Sequence, residues 1–142
     1  MAGIRSQNTK PEVAVRKLLH AVGYRYRLGT KIGKMRPDIV LSRWKCAIFV
    51  HGCFWHGHVS CTGFRLPKSR RDFWDAKIEE NRHRDKRTCD AIEDLGWKVI
   101  IVWECAISGK RRLATESLVA ALKAAIHDQS AQRTIVGRNG TH

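Results

Sequence analysis

One segment, HGCFWHGHVSC, holds the densest group of side chains in this chain that can bind a metal or transfer a proton. Cys53, His58 and Cys61 have the spacing C-x4-H-x2-C, which is short enough for one loop to surround a tetrahedral ion. Thiolate and imidazole ligands favour Zn²⁺, and four protein ligands make such a site structural rather than catalytic. Cys105 is the candidate fourth ligand, and His56 is the competing imidazole. We therefore predict a structural zinc site, with buried cysteines and hydrogen-bonded histidines as the metal-independent alternative.

A carboxylate stands just before this segment, at the start of an apolar run. Asp38 lies in KMRPDIVL, where Pro-Asp alone is most often a turn signal. If zinc takes the ligands above, His51 and His56 remain beside Asp38 near one edge of a sheet. Mg²⁺ prefers oxygen ligands and keeps waters, so Asp38, a backbone carbonyl and a substrate phosphate can hold it. Such an ion lowers the pKa of an attacking water, and an imidazole can transfer a proton near neutral pH.

Three other side chains each allow two interpretations. Glu12 is the third residue after the helix cap Thr9, so position alone favours a capping box over a role at the metal. Phe54 and Trp55 flank Cys53 on a loop that zinc would stiffen. They can wedge between base pairs, which costs less energy at a mismatch, or they can pack locally over the zinc site.

The charge of the chain favours a polyanionic partner. Lys and Arg number 27 against 13 Asp and Glu, which gives a formal net charge of +14. Nucleic acid is the first candidate and an anionic membrane surface the second, while a basic protein that is merely soluble is the plain alternative. A basic stretch after the aromatic pair offers candidate phosphate contacts, although such runs are most often simply solvated. These residues are Arg65, Lys68, Arg70 and Arg71.

The sequence indicates neither secretion nor membrane insertion. The N-terminal MAGIRSQNTK has no apolar signal region, and the chain has no apolar run long enough to cross a bilayer. A reducing, cytoplasmic location is expected. An odd count of 5 cysteines there argues against a disulfide framework and for metal ligation.

Periodicity predicts an α/β fold, in which a mixed sheet is flanked by helices. A capped helix follows Thr9 and stops at Gly23, and a second, long helix begins after Ser69 with Asp72 as its capping partner. The remaining predicted elements are a β-hairpin over 38–50, an irregular loop over 51–64, a strand over 97–103 buried on both faces and a helix over 115–127. We expect a single domain over 1–128 and a flexible polar tail over 129–142.

Four motifs resemble those of the very-short-patch-repair (Vsr) DNA mismatch endonucleases in order and spacing. They are KMRPDIVL, CAIFVHGCFWHGH, FWDAKIEENRHRD and LGWKVIIVWECA, and the resemblance runs from about Met1 to Leu122. It implies a restriction-endonuclease-like core that nicks one DNA strand 5′ to the thymine of a T·G mismatch, the product of 5-methylcytosine deamination. The implied partner is double-stranded DNA carrying that mismatch. We expect a monomer without membrane contact, and mismatch-repair proteins are candidate further partners.

The resemblance also implies roles for individual residues. Asp38 is similar to the family's Mg²⁺-binding aspartate, and His51 and His56 resemble its two active-site histidines, with His56 as the proton-transfer partner. Glu12 resembles the helix glutamate that faces the metal waters. Further positions match the family's zinc ligands and its intercalating residues. The zinc ligands are Cys53, His58, Cys61 and Cys105, and the intercalating residues are Phe54, Trp55 and Met1.

The sequence departs from the family pattern at three places. Val50 replaces a common threonine, which matters little if only its backbone carbonyl binds the Mg²⁺. The spacing between His58 and Cys61 is one residue longer than usual. The sequence starts at the wedge residue Met1 without the family's N-terminal arm, so weaker affinity or mismatch dependence is expected. Two other functions stay open: a sequence-specific nickase that needs no mismatch, and a zinc-stabilised DNA-binding module without catalysis.

Overall fold

The structure, a computed structural model, describes residues 9–58 and 67–138 and the backbone of 140–141. The predicted site residues Met1, Cys61 and Arg65 lie outside these described residues. Within these described residues there are four α-helices and five strands, with a short 3₁₀ turn at Ser42–Trp44. In chain order they are α1 (Lys10–Ala21), β1 (Ile39–Leu41), β2 (Cys46–His51), α2 (Arg71–Asp94), β3 (Lys98–Trp103), α3 (Glu104–Ile107), α4 (Thr115–His127), β4 (Arg133–Gly137) and β5 (Gly140–Thr141).

The strands form one mixed sheet in the order β1-β2-β3-β4-β5. β1 and β2 are the antiparallel hairpin that the sequence predicts, whereas β2, β3 and β4 run parallel to one another. His51 at the end of β2 is level with Trp103 at the end of β3. The loop after β2 and the helix after β3 therefore begin at the same edge of the sheet, which brings distant parts of the sequence together.

Helices cover both faces of this sheet. On one face α1 and α4 pack over buried residues that include Ile48 and Ile100. On the other face α2 packs over Ala47, Phe49 and Val99. Since side chains alternate between the faces of a strand, His51 lies on the same side as Phe49, facing α2. The strand period thus directs this histidine toward the long helix.

The ends of the helices follow the predicted chemistry in part. Thr9 caps α1, and Gly23 follows the helix with φ of +102°, as the sequence predicts. The predicted cap of α2 is wrong, because α2 begins at Arg71 after Arg70, which has a left-handed φ of 56° and makes no side-chain capping bond. Ser69 lies one residue too early to cap the helix, and Asp72 lies in its first turn.

The expectation of a flexible tail from residue 129 is wrong for residues 133–137. These residues form β4, which pairs with β3, and Val136 is fully buried. The run RTIVG is too short to show a clear period by itself, and its partner strand is distant in sequence. In the part of the chain that the structure describes, no helix is both long and apolar enough to cross a membrane.

Candidate active site and metal-ligand cluster

A cavity of about 980 Å³ opens at the edge of the sheet where β2 ends. Its wall carries four carboxylates and two imidazoles, which are Glu12, Asp38, Asp85, Glu104, His51 and His56. Basic side chains line the same cavity, namely Lys10, Lys34, Arg36, Lys77 and Arg84. The predicted catalytic residues thus share one cavity, which combines acidic groups suited to a cation with basic groups suited to phosphate.

Asp38 is fixed at the start of β1 by a backbone hydrogen bond. The Val50 N–H donates to Asp38 Oδ2 over 2.8 Å. The pKa of Asp38 is raised from 3.8 to about 6, mainly because the carboxyl is withdrawn from water; Glu12 also acts to raise this pKa, while the Val50 bond, His56 and Arg16 act to lower it. A partly buried carboxylate of this kind gains more from a bound cation than a fully solvated one does.

His51 and His56 form a stacked pair beside the long helix. Their rings are parallel, with an interplanar angle of 4° and centroids 3.8 Å apart. The pKa of His51 is lowered to about 3, mainly by burial and also by the adjacent His56, while Asp85 acts to raise it. His51 is therefore neutral at pH 7. The Nδ1 atom of His56 lies 2.5 Å from Asp85 Oδ2, which leaves its Nε2 as the ring atom for proton exchange with a substrate.

The stacking of these rings also limits which metal chemistry the pair can do. The ligand atoms of His51, His56 and Asp85 lie within 4.8 Å of one another. However, imidazole lone pairs lie in the ring plane, so two parallel rings cannot both point at one ion. The arrangement fits a hydrogen-bonded His56–Asp85 pair supported by a neutral His51 better than it fits a metal chelate.

The contacts of Glu12 bear on both interpretations of its position. Its backbone N–H donates to Thr9 Oγ1 over 3.3 Å, as a helix cap requires. Its carboxylate is buried, contacts Arg16 and lines the cavity. The structure therefore shows the Thr9 half of the predicted capping box and places the Glu12 side chain in the cavity wall, while its role at a metal stays a prediction.

A second group of ligating side chains lies next to the cavity. Cys53 Sγ is 3.6 Å from His58 Nδ1, and Cys105 Sγ is 3.5 Å from the same nitrogen. A tetrahedral Zn²⁺ with ordinary Zn–S and Zn–N bonds separates sulfur and nitrogen ligands by about 3.6 Å. The donor set and spacing fit zinc. His58, rather than the competing His56, belongs to this group.

The neighbours of His58 hold its ring in this position. The ring stacks on Trp103 with centroids 4.2 Å apart and an interplanar angle of 3°. A side chain at Gly137 would lie against the same ring, since a Cβ there would be 3.6 Å from His58 Cε1. Trp103 ends β3 and Gly137 ends β4, so the sheet edge itself orients this imidazole.

Comparison with known proteins identifies the family. The family profile described as DNA mismatch endonuclease Vsr matches residues 1–62. The chain is 38% identical to the DNA mismatch endonuclease Vsr of Escherichia coli over 135 aligned residues. This alignment covers 95% of this chain and 86% of that protein. The chain belongs to the Vsr family. This confirms the resemblance predicted from the motifs, and the family's chemistry is endonucleolytic hydrolysis of DNA.

Two other relatives, which are more similar to this chain than the Escherichia coli protein is, are named as nicking enzymes. The type II nicking enzyme V.XorIIP of Xanthomonas oryzae pv. oryzae is 53% identical over 108 residues, covering 76% of this chain and 79% of that protein. The type II nicking enzyme V.NmeAIP of Neisseria meningitidis is 50% identical over 110 residues, covering 78% of each. The Vsr family therefore includes relatives named for mismatches and relatives named for nicking.

The aromatic pair of this Vsr-family chain packs outside the core, against α2. Phe54 and Trp55 are half-buried, and both contact Trp74, with ring centroids 5.5 and 5.7 Å away. Phe73 extends the cluster and is 43% exposed, with the Arg70 guanidinium 4.3 Å above its ring. Among the predicted phosphate contacts that the structure describes, Lys68, Arg70 and Arg71 are exposed. This half-exposed aromatic cluster beside basic residues fits nucleic-acid stacking.

Sequence reasoning missed the site residues that α2 contributes. Asp85 binds His56, Asn81 and Arg82 bind the neighbouring loop, and Trp74 completes the aromatic cluster. The motif FWDAKIEENRHRD contains all four, and Asn81 and Asp85 have the i, i+4 spacing of one helix face. That spacing signalled a shared face, but only the fold shows that the face meets the loop.

Proposed function

We propose that this protein is a Mg²⁺-dependent nickase that hydrolyses one strand of duplex DNA 5′ to the thymine of a T·G mismatch. The observation that carries the proposal is the shared cavity of Asp38, His51 and His56. Its chemistry is a partly buried carboxylate beside a proton-transferring imidazole, and its basic lining offers contacts for phosphates. Binding alone does not need a carboxylate facing a polyanion.

The protein groups divide the chemistry among themselves. Asp38 and the Val50 carbonyl hold the Mg²⁺, which when bound supplies charge that activates a water and offsets charge on the leaving oxygen. The Val50 N–H fixes one oxygen of Asp38. Asp85 holds Nδ1 of His56, so that Nε2 takes or gives the proton. Glu12, buried in the same wall, orients waters near the metal.

Structural zinc holds the loop that carries this machinery. Cys53, His58 and Cys105 supply three ligands in the described chain, and Cys61 is the proposed fourth. A closed site of thiolates and imidazole has no open position for catalysis, so the zinc contributes stability and rigidity only. The loop between these ligands then presents His56 to the cavity, which Trp55 also lines, and it carries Phe54 and Trp55 beside Trp74, where we propose that they meet the DNA.

Two groups of residues determine which DNA is bound: the aromatic pair Phe54 and Trp55, and the basic residues that follow it. Phe54 and Trp55 insert at the mismatch, where unstacking costs less than at a matched pair, and Met1 acts from the N-terminal side. Arg65, Lys68, Arg70 and Arg71 contact phosphates, which positions the duplex without reading its sequence. The chain acts on DNA as a monomer.

A nicking assay on paired substrates tests this function. Duplexes that differ only in carrying T·G or C·G at one position, with each strand end-labelled in turn, are incubated with and without Mg²⁺. We expect a single nick 5′ to the mismatched thymine, in the T·G duplex and only with Mg²⁺. Binding of both duplexes with no cut in either would contradict the proposal and favour a non-catalytic DNA-binding module.

A sequence-specific nickase that needs no mismatch is the second candidate. It is favoured by the Xanthomonas and Neisseria relatives, which are described as type II nicking enzymes and are more similar to this chain than the Escherichia coli protein is. Equal nicking of T·G and C·G duplexes at a fixed sequence would establish it in place of the mismatch nickase.

A further inference from the structure

The helix α2 holds three consecutive residues of the loop around His56. Asn81 Nδ2 donates to the Trp55 carbonyl over 2.8 Å. Arg82 donates from Nε and Nη2 to the Gly57 carbonyl over 3.2 and 2.5 Å. Between these contacts, Asp85 binds the His56 ring itself. Three side chains from about one turn of the helix therefore fix the loop before, at and after the imidazole.

The loop approaches α2 so closely at Gly57 that there is no space for a side chain at this position. Gly57 has φ of +63°, and a Cβ there would lie 2.5 Å from Arg82 Nε and from Ile78 Cγ2. A larger residue would push the carbonyl away from Arg82. Asn81 is only 5% exposed, and its own Oδ1 accepts from Arg84 over 3.1 Å. Both helix side chains are thus built into the contact rather than lying on the surface by chance.

We propose that Asn81 and Arg82 are positioning residues for His56, which they orient by holding the carbonyls on either side of it. The inference rests on the proposed role of His56 in proton transfer. The ligands His58 and Cys53 hold the ends of the loop, whereas its middle is held by α2. A loop that drifts by about 1 Å would break the alignment with Asp85, and displacements of that size cost about 100-fold in rate.

The replacement Arg82→Met tests the positioning role, because it keeps the length of the side chain and removes the donors to Gly57. We expect kcat for nicking to fall about 10- to 100-fold, while KM, DNA affinity and zinc content stay within about twofold of wild type. Arg82→Lys retains one donor and should recover much of the rate. Glu80→Gln is the control, because Glu80 is exposed on the same helix and outside the cavity lining, and it should leave kcat unchanged.

A spectroscopic measurement separates positioning from activity. In protein with isotope-labelled histidine, the Nδ1 proton of His56 should resonate far downfield because of its short bond to Asp85. We expect this resonance to shift upfield or vanish in Arg82→Met and in Asn81→Ala, and to persist in Glu80→Gln. If Arg82→Met fails to fold, Asn81→Ala decides by the same readouts.

The outcomes distinguish this inference from the proposed function. An unchanged His56 resonance together with wild-type kcat in both variants would overturn the positioning role, even if the wild type nicks mismatched DNA. A parallel loss of zinc and of folding in both would also overturn it, because the contacts would then be general stabilisers. A shifted resonance in a protein whose wild type nicks no DNA would sustain the positioning role and contradict the nickase.

Discussion

Asp38 lies where an ionised carboxylate is costly to keep. Its pKa of about 6 in the folded chain is above the ordinary value of 3.8, so the folded state holds this proton more tightly than the unfolded state does. The resulting stability is fully present below about pH 4 and is lost as the pH rises through about 6. At neutral pH, ionisation of Asp38 therefore lowers the free energy of unfolding of the metal-free protein. Asp38 is the residue that we propose to hold Mg²⁺.

The substitution Asp38→Asn should remove this cost together with the activity. Without added Mg²⁺ at pH 8, we expect the free energy of unfolding to rise by about 2 to 3 kcal/mol, because the amide is neutral and can still accept from Val50. Denaturant unfolding at pH 8 and pH 4 measures the change. Asp94→Asn, an exposed site on α2, is the control. A gain at pH 4 as large as that at pH 8 would show that ionisation is not its source.

Asp85 is the residue whose role depends most on geometry. It holds Nδ1 of His56 across 29 positions of sequence, and replacing it with Asn would leave the ring without a charged partner. We expect Asp85→Asn to lower kcat for nicking about 100-fold or more, with DNA affinity kept. Asp94→Asn makes the same chemical change on the same helix and should keep wild-type kcat. Similar rates for the two variants would remove Asp85 from the mechanism.

The sequence predicts the candidate site residues better than it predicts their partners. Asp38, His51 and His56 stand out by type and spacing, and the fold places them in one cavity. Asp85 lies in a charged helical stretch where acidic side chains are ordinarily solvated. The residue type alone therefore did not predict that Asp85 belongs to the site. Its contact depends on the distance between a helix and a loop, which local pattern does not contain.

At the scale of elements, the parallel pairing of β2 and β3 assembles the ligand cluster. The register that sets His51 level with Trp103 brings Cys105, two residues further on, to the loop that carries Cys53 and His58. The hairpin, the buried strand β3 and the helices α1 and α4 follow from hydrophobic period. β4 does not, because its five residues are stabilised by pairing with β3 rather than by local preference.

The ligand cluster should stabilise the sheet edge only while it holds metal. Cys105→Ser should lower the zinc content and reduce the free energy of unfolding by at least about 2 kcal/mol, because the binding energy of a structural ion contributes to folding. Metal analysis and thermal unfolding on the same preparation check this. Cys89→Ala removes a buried thiol outside the cluster, so it should cost about 1 kcal/mol and keep the zinc. A Cys105→Ser protein with full zinc content and wild-type stability would contradict the assignment.

At the scale of the whole molecule, a strongly basic protein surrounds a cavity that is lined by both carboxylates and basic side chains. The chain carries a formal charge of +14, yet four carboxylates line the cavity. Basic residues on the same wall offset their repulsion of a phosphate backbone, and a cation bound at Asp38 would offset the rest. This distribution of charge suits an enzyme that binds DNA by its surface and cuts it at a metal-dependent centre.

The most direct test of this account is Mg²⁺-dependent nicking by the wild type and by Asp38→Ala, compared on one T·G duplex at equal zinc content. The account predicts that the wild-type rate rises from none as Mg²⁺ is added, and that Asp38→Ala binds the duplex equally well without nicking it at any Mg²⁺ concentration. Nicking by Asp38→Ala at the wild-type rate, or a wild-type rate that does not depend on Mg²⁺, would contradict it.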